Sequence, residues 1–128
     1  MPVRSLNMSV LAWPKKNQVE SALEVRARSW GASVPGLLGV GYFGSYSRGD
    51  WGVGSDLDLI LVLEKCSEPF ERRALGFDAT SLPVPVDMLV YAKAELASLL
   101  AQEGRFATTL RREITWAWRR GDFPGLPD

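Results

Sequence analysis

At 128 residues, with fifteen basic and fifteen acidic side chains, the chain is sized for one domain over residues 1–128 and carries no net field to gather polynucleotide or anionic lipid. It has no histidine and a single cysteine, Cys66. That excludes Ser-His-Asp and Cys-His catalysis, His-ligated zinc, thiolate clusters and an internal disulfide. Chemistry is left to carboxylates, hydroxyls, Lys, Arg, backbone groups and a borrowed cation, which with oxygen ligands alone is Mg²⁺ or Mn²⁺.

The first apolar patch, Met8 to Trp13, is cut off by Pro14 and is too short for a secretory core. No stretch approaches the roughly 20 apolar residues that span a bilayer, so no membrane role is expected and the cytoplasm is the default compartment. From Pro14 to Trp30 the pattern is helical, with Val19, Ala22, Leu23, Ala27 and Trp30 on one face and the charges mostly elsewhere. Gly31 is expected to end this helix. Val34-Pro35-Gly36 then turns the chain into a strand over Leu37 to Phe43.

Gly39-Val-Gly41-Tyr-Phe-Gly44 fits G-x-G-x-x-G, but its surroundings do not. The dinucleotide fingerprint must follow a strand and open a long crossover helix, whereas Pro35 and Gly36 precede it and Gly49, Gly52 and Gly54 follow. Gly39 and Gly41 instead mark close packing within a strand. Gly44-Ser45 is a turn that lets backbone approach a ligand, with Ser45 as N-cap of a short segment from Tyr46 to Asp50. N–H groups at such a start suit a phosphate, and Arg48 adds a fixed positive charge. Asp50 to Gly54 is a glycine-bearing loop, in which Trp51 either covers a ligand or is a half-exposed aromatic without a role.

Asp56 and Asp58 open the apolar strand Leu57 to Leu63. Alternate residues of a strand share a face, so the two carboxylates project together with roughly 7 Å between their Cα atoms. One or two divalent cations can bridge that spacing. Beyond Cys66, read as a semi-buried thiol after the strand, Glu68 to Phe77 is a short helix and Thr80 to Pro85 a loop. Val86 to Tyr91 is a strand that carries Asp87 at its start. Ala94 to Gln102 and Phe106 to Arg112 are helices divided at Gly104, and Glu113 to Trp118 alternates as a last strand with Ile114, Trp116 and Trp118 on one face. The tryptophans, flanked by Arg111, Arg112, Arg119 and Arg120, are read as closing the core, with a nucleic-acid or partner surface as the other reading. Phe123 to Asp128 is a short frayed tail. There is no internal repeat.

Gly44-Ser45, ten intervening residues and Asp56-x-Asp58 together resemble the signature of the polymerase-β-type nucleotidyltransferases. G-S-Y-S-R-G ahead of S-D-L-D-L is similar to their minimal, single-domain bacterial branch, which more often has Ala at Ser47. Val86-Asp87-Met88-Leu89-Val90 looks like the family's third carboxylate in its strand. The resemblance extends from about Leu37 to the final strand. It implies an α/β (α+β) nucleotidyltransferase fold, a small mixed sheet flanked by helices, with its site at one end of the central strands.

The resemblance also implies roles. Asp56 and Asp58 would hold Mg²⁺, with Asp87 completing the set and able to take the proton from an attacking hydroxyl. Gly44 and Ser45 would hold the β- and γ-phosphates of ATP or another NTP, supported by Arg48 and Ser55. Arg48 is equally open to a structural pairing with Asp50 or a triad member. Minimal enzymes of this kind are commonly paired with a helical HEPN protein, as antitoxins that attach AMP to the toxin, so a protein acceptor and a homo- or hetero-oligomer are expected and nucleic acid is not. Two alternatives stand beside this: an antitoxin that neutralises by binding alone, and an enzyme acting on a small hydroxylated molecule such as an antibiotic.

Overall fold

Val19, Leu23, Ala27 and Trp30 recur at helical spacing and all four are buried. In the computed structural model, which describes residues 14–50, 52 and 54–126, they form the inner face of α1, Lys16–Ser33. Gly31 does not stop this helix, contrary to expectation. A Cβ there would strike the ring of Trp118, so the glycine makes room for a tryptophan across the helix. The helix ends two residues later, where the Val34 N–H donates to Trp30 O at 2.8 Å.

The strands are β1 (Leu37–Phe43), β2 (Leu57–Leu63), β3 (Val86–Ala92) and β4 (Thr115–Arg119). They form one sheet in the order β3-β2-β1-β4. β1 runs antiparallel to β2 and β4, while β2 and β3 are parallel. This mixed pattern disposes of the dinucleotide fingerprint, because β1 leads into a tight turn rather than a crossover helix. Gly39 and Gly41 are packing glycines: added Cβ atoms would come within 2.9 Å of Phe123 and Trp116, and within 2.6 Å of Ile114.

Each face of the sheet has its own layer. Leu57, Leu59 and Leu61 of β2 face α1, whereas Ile60 and Val62 face α4 (Lys93–Ala101) and α5 (Arg105–Glu113). β2 is therefore apolar almost throughout, as a central strand covered on both sides must be. Each of these leucines contributes about 2 kcal/mol by leaving water. Between β2 and β3 lie one turn of helix, α3 (Phe70–Arg73), and a 3₁₀ turn, Ala74–Gly76. α2 is the single helical turn Ser45–Arg48 between β1 and β2.

The last strand departs from its expected form in two ways. It begins at Thr115, because Glu113 still belongs to α5. Its register against β1 also slips between Val40–Trp118 and Gly41–Trp116, a bulge with Ala117 as the extra residue. The alternation is broken there, so Trp116 packs in the α4–α5 layer and Trp118 in the α1 layer. Arg120 donates to the carbonyls of Leu37, Gly31 and Val34 at 2.7, 2.5 and 3.2 Å and lies over the Trp118 ring. The tryptophans and Arg120 thus close the core.

The frayed tail is also corrected over its described part. Phe123 packs edge-on against Trp116 with ring centres 5.7 Å apart, and Gly125 is buried against the same indole. Trp51, the Met8–Trp13 patch and residues 127–128 lie outside the described residues.

Candidate active site

The row of β2 side chains that faces α4 and α5 runs Val62, Ile60 and then Asp58, so the strand's period of two carries a carboxylate out of the apolar layer near its start. Asp58 stands opposite Phe43 at the end of β1 and level with Asp87 on β3. Neighbouring strands lie about 4.8 Å apart, which brings Asp58 and Asp87 side by side. Asp56 sits two residues upstream, just before the strand. Asp58 is half-buried, and Asp56 and Asp87 are exposed.

Burial pushes the Asp58 carboxyl above its usual range; Asp87 and Asp56 push it further, and Arg48 opposes them. This end of the sheet holds more negative charge than it compensates, which favours a proton or a cation. A donor set of carboxylates alone fits a hard divalent ion. The fold builds the Asp58–Asp87 adjacency; among the described residues no three acidic, histidine or cysteine side chains are drawn together as a ready-made metal cage.

Gly44 closes over Asp58. Its φ is +79° and a Cβ would land on Asp58 Oδ2, so backbone conformation and contact both demand glycine. Gly44, rather than Ser45, is the cap, and Ser45 is the first residue of α2. That helix is one turn long and ends at Gly49, φ +85°. A single turn sums few peptide dipoles, so the positive charge near the turn is mainly that of Arg48. The turn's first N–H is also taken: Gly44 N donates to Glu113 Oε1 at 3.0 Å.

Arg48 pairs with Asp50 (Nε to Oδ2, 3.0 Å) and with Glu113 (Nη1 to Oε1 and Oε2, 3.1 and 3.2 Å). The expected pairing with Asp50 is therefore present. Ser55 Oγ accepts from the Gly52 N–H at 2.8 Å, and its carbonyl accepts from the Tyr46 hydroxyl at 3.4 Å, which fastens the loop before Asp56 to the turn. Ser47 donates to the Glu113 carbonyl and lies 3.0 Å from Thr115 Oγ1.

Glu113 is the residue the sequence reading missed, having been assigned to the strand. Its carboxylate is buried at the last position of α5 and its partners are 65 and 69 residues away. One local signal was present: an acid in a final helical turn, where the dipole disfavours negative charge, needs a compensating partner.

Among the described residues no helix is long and apolar enough to cross a membrane. No curated protein matches the chain. A Sulfolobus solfataricus chain assigned as a nucleotidyltransferase superposes with a TM-score of 0.60 at 20% identity, covering 88% of each chain. A toxin–antitoxin complex with AMP-PNP superposes at 0.47 and 17% identity, over 85% of this chain and 77% of that one. A mutant MntA-HpeT toxin–antitoxin also superposes at 0.47, at 16% identity and the same coverage. The description "Nucleotidyltransferase domain" matches residues 26–112, a span holding α1's second half, β1 to β3 and the whole Gly44–Asp58–Asp87 cluster, and the chain belongs to that family.

Proposed function

We propose that the protein transfers a nucleoside monophosphate, AMP from ATP, to a hydroxyl on a partner protein, and that it serves as the antitoxin of a HEPN toxin. The observation that carries the transferase chemistry is the placement of Asp58 and Asp87 at matching positions on adjacent parallel strands, with Gly44 directly against Asp58. The protein acceptor rests on the G-S-Y-S-R-G and S-D-L-D-L strings and on their likeness to the minimal nucleotidyltransferases.

Asp56, Asp58 and Asp87 would hold Mg²⁺, which when bound offsets charge on the α-phosphate and lowers the pKa of a nearby hydroxyl. The chain's own groups do the rest. Gly44 permits close approach of the triphosphate to the carboxylates, and Arg48, half-exposed, balances charge on its β- and γ-phosphates, with Ser45 and Ser55 bounding the same space. The acceptor oxygen bonds to the α-phosphorus as the bond to the bridging oxygen breaks, pyrophosphate leaves, and the hydroxyl proton passes to Asp87 or to solvent. The turn and the strand ends would hold those atoms in line.

The test is to incubate the purified chain with Mg²⁺, each labelled NTP and its co-purifying proteins, and to weigh the products. A partner protein heavier by one nucleoside monophosphate, absent with Asp58→Asn, supports the proposal. Label found only on small hydroxylated molecules, or neutralisation of a partner by Asp58→Asn as complete as by the unaltered chain, would overturn it.

A further inference from the structure

One residue holds the turn above the carboxylates from three directions. The Glu113 side chain accepts from the Gly44 N–H and from Arg48 Nη1, and its backbone carbonyl accepts from the Ser47 hydroxyl. Three residues of a five-residue segment therefore hang from the end of α5. α5 itself is anchored in the core through Ala107 and Leu110, which are 1% and 0% exposed, so Glu113 has a rigid base.

A buried carboxylate at the negative end of a helix is costly unless it is paired and hydrogen-bonded. Here the groups that compensate the carboxylate, the Gly44 N–H and the Arg48 guanidinium, both belong to the turn, so the cost of burying Glu113 is offset only when the turn is in place. The Ser47 hydroxyl ties the same turn to the Glu113 carbonyl. That makes Glu113 a latch on the loop. It is not placed to touch the reacting atoms, since its oxygens are occupied by the Gly44 amide and the Arg48 guanidinium.

Resting on the nucleotidyl-transfer reading above, we propose that Glu113 is the positioning residue of the triphosphate site: it fixes the Gly44 turn over Asp58 and presents the Arg48 guanidinium, in a set orientation, to the phosphates. The glutamate acts through Arg48 and Gly44 rather than on substrate. Its effect therefore falls on binding of the polyphosphate and is shared by every NTP, whatever the base.

The experiment measures binding of inorganic tripolyphosphate and of ATP, each with Mg²⁺, by titration calorimetry to the unaltered chain and to Glu113→Ala, Glu113→Gln, Arg48→Met and the double variant Glu113→Ala/Arg48→Met. Loss of one charge-assisted contact predicts that Glu113→Ala weakens tripolyphosphate about tenfold or more. Glu113→Gln, which keeps an oxygen for the Gly44 N–H, weakens it only about threefold. In the Arg48→Met background the further loss from Glu113→Ala is much smaller, because the two residues act as a unit.

Equal binding by the unaltered chain and both single Glu113 variants overturns the positioning role, as does full additivity in the double variant. If Glu113→Ala does not fold by circular dichroism, Glu113→Gln and Ser47→Ala carry the same test, and tripolyphosphate binding unchanged in both overturns the proposal. Failure of the unaltered chain to bind either probe would instead remove the nucleotidyl-transfer reading on which the inference stands.

Discussion

Two arginine–glutamate pairs sit at opposite ends of the sheet, and they are built as inverses. In Arg73–Glu95 the arginine side chain is 6% exposed and the glutamate 47%. In Arg48–Glu113 the arginine is 47% exposed and the glutamate 8%. Arg73 is tied down by protein: Nε donates to Glu68 O at 2.8 Å, Nη1 to Val90 O at 3.1 Å, and both terminal nitrogens fork onto Glu95 at 2.6 and 3.0 Å. It ties α3, β3 and α4 together. Arg48 keeps half its surface in water while the acid that steers it is hidden. A buried arginine held by protein on four of its five N–H groups is a fastener; a half-exposed arginine aimed by a buried acid has charge left for a ligand.

The sharpest way to break this comparison is at the acids beside Arg48. Asp58→Asn should lower nucleotidyl transfer by about 10³-fold while leaving the fold at least as stable, because it removes a carboxylate that burial, Asp87 and Asp56 all disfavour. Transfer assays and urea midpoints on the same preparation check both halves, and a large loss of stability would contradict the charge balance described here. Arg73→Met should do the reverse. Leaving the Glu68 and Val90 carbonyls without a donor should cost about 3 kcal/mol of folding stability, with tripolyphosphate affinity of the folded protein unchanged.

Arg48→Met is the milder counterpart: affinity for tripolyphosphate should fall about tenfold, and the thermal midpoint should fall by less than in Arg73→Met, because the buried Glu113 carboxylate loses its guanidinium but keeps the Gly44 N–H. The smallest effect separates the ends by pH. Glu95 is held below its ordinary value by its hydrogen bond from Arg73 and then by that from the Ala92 N–H. The stability this contributes is present above the unfolded carboxylate range and is lost as pH falls through the lowered value. Asp58 is shifted upward, so its ionisation costs stability, and that cost disappears as pH falls through the raised value. Stability curves of Glu95→Gln and Asp58→Asn against pH, in chelator, should therefore lie on opposite sides of the unaltered chain above the carboxylate range, the first below it and the second above, and converge on it as pH falls.

The strands of the central sheet were legible because their boundaries carry chemistry: Pro35-Gly36 before Leu37, Gly44-Ser45 after Phe43, and an apolar β2 run opened by Asp56 and Asp58. What escaped was non-local. Gly31 looks like a helix stop until Trp118 is laid over it, a contact 87 positions along the chain. The alternation from Glu113 to Trp118 suggested a single-faced strand because a one-residue bulge leaves no mark on composition. Glu113 was hidden for the same reason: nothing near it in sequence says that a turn 65 residues earlier will supply its partners. The turn itself stands where Gly44-Ser45 puts it, but its physics is not that of a capped helix start: a glycine and an arginine are steered by a distant acid.

The slip at Ala117 has a consequence for how the molecule meets copies of itself. β4 forms one border of the sheet, and a border strand offers unpaired backbone groups on which another chain can zip. Five residues, one of them the extra one, present no even comb of donors and acceptors. The irregularity that distributes two indoles between separate layers thus also leaves this flank a poor template for fibril growth.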